Sequence, residues 1–123
     1  MELDVRLDIL RGSNQIDDEV YCNLKDIIEM VKNKHDIKLN EENAAMLMTH
    51  LSVAIMRIKN KDIVKAVDED IFEEIRSSEY YALSNEWIKD MEEVIHRSIP
   101  ENEKGFIVMH LCTLFVNLEY TKL

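Results

Sequence analysis

Proline occurs once and glycine twice in this 123-residue chain, which leaves too little turn chemistry for the many tight reversals of an all-β fold. Two cysteines, Cys22 and Cys112, stand far apart and outside any CxxC pair. That excludes a disulfide-framed scaffold and zinc-finger spacing, and with no signal peptide in view it leads us to expect two reduced thiols and a cytoplasmic protein. Positive charge is scarce: 15 basic residues face 25 acidic ones, for a net charge of −10. A field of that sign repels phosphate backbones and anionic lipid, and no basic run offsets it, so direct nucleic-acid binding is not expected. Long apolar runs are missing too. The longest, residues 106–118, is interrupted by His110, Thr113 and Asn117 and falls short of the roughly 20 residues a membrane span needs. Glycine-rich phosphate loops, a nucleophile elbow and a metal-ligand set are absent, so neither an enzyme, a cofactor nor a metal is expected.

What the chain has is helix-forming pattern. Its length suits one domain with a single core, and a composition of 46% hydrophobic and 33% charged residues is that of a globular protein. Residues 1–16 are read as a short N-terminal extension. There Leu3, Val5, Leu7 and Ile9 alternate as a strand would, while Leu3, Leu7 and Leu10 also make a helix face; residue preference and the stop at Gly12-Ser13-Asn14 favour a short helix. From Asp17 or Asp18, Val20, Leu24, Ile27, Ile28 and Val31 form one stripe, fading by residues 33–36. Asn40 to Asn43 then cap a helix carrying Leu47, Leu51, Ala54, Ile55 and Ile58. After a polar connection, Ile71, Phe72 and Ile75 predict a short helix. Leu83, Trp87, Met91, Val94 and Ile95 predict a longer one that stops at His96, Arg97 and Pro100. Residues 103–118 predict a last helix, apolar on most sides.

Two of the four histidines lie inside these stripes, His50 in AAMLMTHLSVAIMRIK and His110 in EKGFIVMHLCTLFVNL. Imidazole is the side chain best suited to take up and return a proton or a phosphoryl group near neutral pH. Arg57 lies seven residues after His50, nearly two turns along the same helix, so its guanidinium meets the ring or a phosphate only by leaning along the helix. Glu103, His110, Thr113 and Asn117 fall at offsets of 0, 7, 10 and 14 and share a narrow polar stripe on the last helix. His35 and His96 sit at predicted helix C-termini, where a favourable dipole is the ordinary explanation. The methionines read as adaptable core or interface, and Glu73-Glu74 and Glu92-Glu93 as solvated faces.

THLSVAIMRIKNK and IPENEKGFIVMHL resemble the paired motifs of the PTS regulation domain, or PRD, family. The H-L-x-x-A-x-x-R pattern is matched by His50, Leu51, Ala54 and Arg57, and E-x-G-F-I-x-x-H-L by Glu103, Gly105, Phe106, Ile107, His110 and Leu111. The resemblance runs from about Asp17 to the C-terminus and implies an all-α fold, a compact five-helix bundle over residues 17–123 that pairs as a homodimer. It implies that His50 and His110 are phosphorylated reversibly, with Arg57 and Glu103 as phosphate-binding or ring-orienting neighbours. The donors implied are the phosphocarrier protein HPr or a sugar-specific permease component of the phosphoenolpyruvate:sugar phosphotransferase system. The output implied is transcriptional control of sugar use. Residues 1–16 leave no room for an attached nucleic-acid-binding domain, so a stand-alone module acting through a partner, such as another PRD-containing regulator, is expected. The chain departs from the family in one place: an acidic residue that often precedes the first histidine is replaced by Thr49, and a hydroxyl orients an imidazole more weakly than a carboxylate.

Two other classes compete. An unmodified helical adaptor that binds a PRD regulator or a permease subunit has the same pattern. A two-component histidine phosphotransfer domain is also a helical bundle of this size, but the Lys and Gly that usually follow its histidine are missing after both His50 and His110.

Overall fold

Asp17 begins the element that organises the chain. Its carboxylate accepts a hydrogen bond from the Val20 amide at 2.9 Å, satisfying one of the orphan donors at the start of a helix. In the computed structural model, which describes the backbone of residues 1–122 and the side chains of residues 1–119, that helix is α2, Asp18–His35. Before it comes α1, Leu3–Gly12. After it come α3, Glu41–Lys59, α4, Glu69–Arg76, α5, Tyr81–Ile95, and α6, Glu101–Lys122.

The described residues thus form an all-helical fold, and the expected five-helix bundle is corrected to six helices. The sixth is α1, whose Leu3, Leu7 and Leu10 enter the same core as the other helices while Val5 and Ile9 stay exposed. The period of three to four residues prevails over the alternation because one leucine stripe meets the core.

Local chemistry sets each boundary. Asn14, Asp36, Lys61 and His96 take left-handed backbone at φ 63, 56, 60 and 56°, closing α1, α2, α3 and α5 as such residues commonly do. Asn40 and Asn43 bond reciprocally at 2.9 Å, each side chain accepting from the other's amide, a capping box that fixes the start of α3. Pro100 lends its carbonyl to the amides of Glu103 and Lys104 at 2.9 and 3.1 Å. Its missing N–H costs nothing there.

α3 and α6 pack against each other most extensively, and α2 lies between α3 and α5. Trp87 of α5 is fully buried, edge-on to Phe115 of α6 with centroids 4.9 Å apart and stacked on His35 of α2 at 4.9 Å. Burial of each such large side chain contributes about 1.5–3 kcal/mol. Among the described residues no helix is long and apolar enough to cross a membrane.

Candidate functional site

The seam between α3 and α6 is lined on α3 by Leu47, His50, Leu51, Ala54 and Arg57, positions that recur at three- and four-residue spacing. On α6 the facing residues are Glu103, Phe106, Ile107 and His110, at the same spacing. The two faces line a cavity of about 300 Å³, to whose wall Val64 of the 60–68 connection also contributes.

At one end of the cavity the rings of His50 and His110 stack, with centroids 3.9 Å apart and planes inclined by 20°. His50 is exposed and His110 half-buried. Burial, and after it the charge of the adjacent His50 ring, holds the His110 imidazole below its ordinary pKa, because both penalise a second cation in a poorly solvated place. The neutral, nucleophilic form of His110 therefore persists to lower pH than in a free imidazole.

Arg57 and Glu103 meet at the other end. The guanidinium donates from Nε to Glu103 Oε2 at 2.9 Å and from Nη2 to Oε1 at 2.8 Å, a bidentate pair. The Glu103 side chain is 3% exposed and that of Arg57 33%. The hydrogen bonds to Glu103, opposed by partial burial, push the Arg57 pKa further up. All four residues singled out in the sequence therefore line one cavity, and Arg57 faces Glu103 across the seam.

Thr49 does not face His50. Its hydroxyl donates to the Ala45 carbonyl at 2.9 Å and accepts from Arg6 Nη1 at 3.3 Å, and Arg6 is itself clamped on Glu41. Thr113 turns its hydroxyl back to the Met109 carbonyl at 3.1 Å. Of the polar stripe on α6, Glu103 and His110 face the cavity, while Thr113 and Asn117 are exposed.

Two features lay outside the sequence reading. Val64 belongs to a connection without periodicity, so no signal marked it. Asp90 is 6% exposed and holds the end of α2 to α5, accepting from Lys34 Nζ at 2.5 Å and meeting His35 Nε2 at 2.8 Å. Burial works to raise the Asp90 pKa, but the hydrogen bonds and charges of Lys34 and His35 outweigh it and hold the carboxyl below its usual range. Its place three residues after Trp87, on the buried stripe, was the available signal. Among the described residues no cluster of three or more His, Cys, Asp or Glu side chains is placed to hold a metal ion.

Comparison with known proteins bears on this geometry. The family model of the PRD domain matches residues 25–113, a span that includes both histidines, Arg57 and Glu103. YhfY of Escherichia coli (strain K12), described as an uncharacterized protein, is 18% identical over 114 residues, covering 93% of this chain and 95% of that protein. No solved structure matches the chain.

Proposed function

The chain belongs to the PRD domain family, and on that premise we propose that it is a regulatory module of the phosphoenolpyruvate:sugar phosphotransferase system, phosphorylated reversibly on His50 and His110. The observation that carries this reading is the stacking of the two family-motif histidines at 3.9 Å over a cavity. Burial, and after it the neighbouring His50, lowers the pKa of one of those rings, His110. The phosphoryl group leaves a ring nitrogen of the donor's phosphohistidine for the lone-pair nitrogen of the accepting imidazole. The donor ring departs with the electron pair of the broken bond, and the accepting ring keeps its N–H on the other nitrogen.

The protein is an acceptor in this scheme, not an enzyme, and needs no cofactor. Phosphorylation places a strongly anionic group at the α3–α6 seam, where it competes with Glu103 for Arg57. Loosening that bridge changes how the seam meets a second copy of the chain or a PRD-containing regulator, and through that partner the transcription of genes for sugar use. The donor is the phosphocarrier HPr or a sugar-specific permease component, which sets the action in the cytoplasm.

A second reading is an unmodified helical adaptor for a PRD regulator or a permease subunit. The occupation of Arg57 by Glu103 favours it, because the cation best placed to receive a phosphoryl group is already neutralised. Incubation with phosphoenolpyruvate, enzyme I and HPr, with and without permease components, separates the two. Acid-labile label that is lost from His50→Ala or His110→Ala supports the acceptor, and no label with any donor leaves the adaptor.

A further inference from the structure

We propose that the stacked histidines form a single-occupancy site, in which phosphorylation of either His50 or His110 excludes phosphorylation of the other. This rests on the acceptor reading above and adds to it a rule for how the two positions are used.

The first argument is contact. With centroids at 3.9 Å and planes only 20° apart, the rings touch face to face, and no tetrahedral phosphoryl group fits between them. One group can be carried on the edge of either ring with the stack intact. A second group on the same edge of the stack would crowd the first across the 3.9 Å ring separation, so the stack has to open before it arrives.

Charge gives the second argument. Around the cavity Arg57 and Glu103 cancel each other, and the remaining lining, from Leu47, Leu51, Ala54, Val64, Phe106 and Ile107, is apolar. The first phosphoryl group has one ready counter-charge, the neighbouring imidazole, which stacks on the modified ring and compensates it by taking up a proton. Modification of that second ring removes the compensation and adds another anion in contact with the first. Arg57 can be recruited once, and only by uncovering the buried carboxylate of Glu103. The protein's net charge of −10 offers no general relief.

The two positions are therefore alternatives. A donor that prefers exposed His50 and a donor that prefers half-buried His110 write different marks on one site, and each prevents the other from writing.

Potassium phosphoramidate, a small phosphoryl donor that acts on histidine without a carrier protein, tests this on the full chain. The wild type, His50→Ala and His110→Ala are treated at neutral pH and analysed by intact mass, with peptide mapping to assign labels on His35 and His96 separately. Each variant is expected to take label on its remaining seam histidine. Wild-type molecules should carry label at one seam position or the other, with the doubly labelled form at least tenfold below the product of the two single occupancies. A doubly labelled fraction equal to that product overturns single occupancy and leaves phosphorylation standing. Absence of label at both seam positions in every protein overturns the acceptor reading and the occupancy rule together. The wild-type distribution carries the comparison by itself, so poor folding of a variant does not remove it.

Discussion

Arg57 reaches across from α3 to hold Glu103 of α6 with two hydrogen bonds of 2.9 and 2.8 Å, joining the two helices that carry the histidines. Removing one member of a buried ion pair costs about 3–5 kcal/mol, because the other charge is left without compensation. A third of the Arg57 side chain meets water, so Arg57→Leu is expected to cost about 2–3 kcal/mol, at or below the lower end of that range. The double variant Arg57→Leu/Glu103→Leu should recover most of the loss, since an apolar pair of similar volume often replaces a buried ion pair without penalty. Urea unfolding of the two single variants and the double variant gives the coupling directly.

His110 supplies a pH dependence with a definite sign. Its pKa is held below the ordinary value of 6.5, first by burial and then by His50, so on acidification the unfolded chain takes up this proton before the folded one does. The contribution of His110 to stability is intact above 6.5, is lost as pH falls from there to the lowered pKa, and changes no further below it. Titration of the ring by NMR should show a midpoint under 6.5 in the wild type. In His50→Gln the midpoint should rise only partway, because the charge is gone and the burial remains. A midpoint unmoved by His50→Gln would assign the whole shift to burial.

Asp90 carries the opposite sign. Its carboxyl is held below the usual range by Lys34 and His35 in spite of burial, so its contribution is present above the ordinary carboxylate pKa and is lost as pH falls through the lowered one. At neutral pH Asp90→Asn should cost about 1.5–3 kcal/mol, the range for hydrogen bonds to a charged group. Unfolding curves at pH 7 and near pH 3 should show the gap between variant and wild type narrowing with acid. A gap of the same size at both would mean that packing, not charge, fixes Asp90.

Gly105 is a case where two effects of similar size oppose each other. It lies inside α6, where alanine is favoured over glycine by about 1 kcal/mol. A Cβ at this position would, however, stand 2.9 Å from Cγ2 of Val67, and a β-branched side chain has little rotamer freedom with which to retreat. Val67 is half-buried and belongs to the 60–68 connection rather than to a helix, so the connection is what gives way. Gly105→Ala should shift Tm by only a few degrees while raising the rate of limited proteolysis within residues 60–68.

Much of this was legible in the chain, and the misses share a cause. Helical periodicity identified the stripes of α2, α3 and α5, and the caps at Asp17 and Asn40 stood where their side chains predicted. At the N-terminus Leu3, Val5, Leu7 and Ile9 fitted a strand as well as Leu3, Leu7 and Leu10 fitted a helix. Only the common core, which takes Leu7 and leaves out Val5, separates the two. For the site, sequence placed His50 and His110 on different helices with Arg57 and Glu103 nearby on each. It held no information on the 3.9 Å stack or on a bridge between residues 46 positions apart, because spacing along a helix says nothing about which faces of two helices meet. His35 illustrates the same limit: a helix C-terminus explains a histidine adequately until Asp90 is seen beside it.

Thr49 offers a final test of what orients His50. In the family pattern an acidic residue often stands at this position, and restoring one by Thr49→Asp is the natural repair. The geometry argues that it repairs nothing. The Thr49 hydroxyl lies against Ala45 and Arg6, and the side chain before His50 on a helix leaves about 100° away from it. A carboxylate at position 49 would meet Arg6, which Glu41 already occupies. The stability gain should be that of a partly exposed ion pair, about 0–1 kcal/mol. The stack of His50 on His110 should stay as in the wild type, readable from ring proton shifts. Ring proton shifts that lose the mark of stacking would require the new carboxylate to have drawn the ring away from His110, and would make position 49, not the stack, the determinant of how His50 is presented.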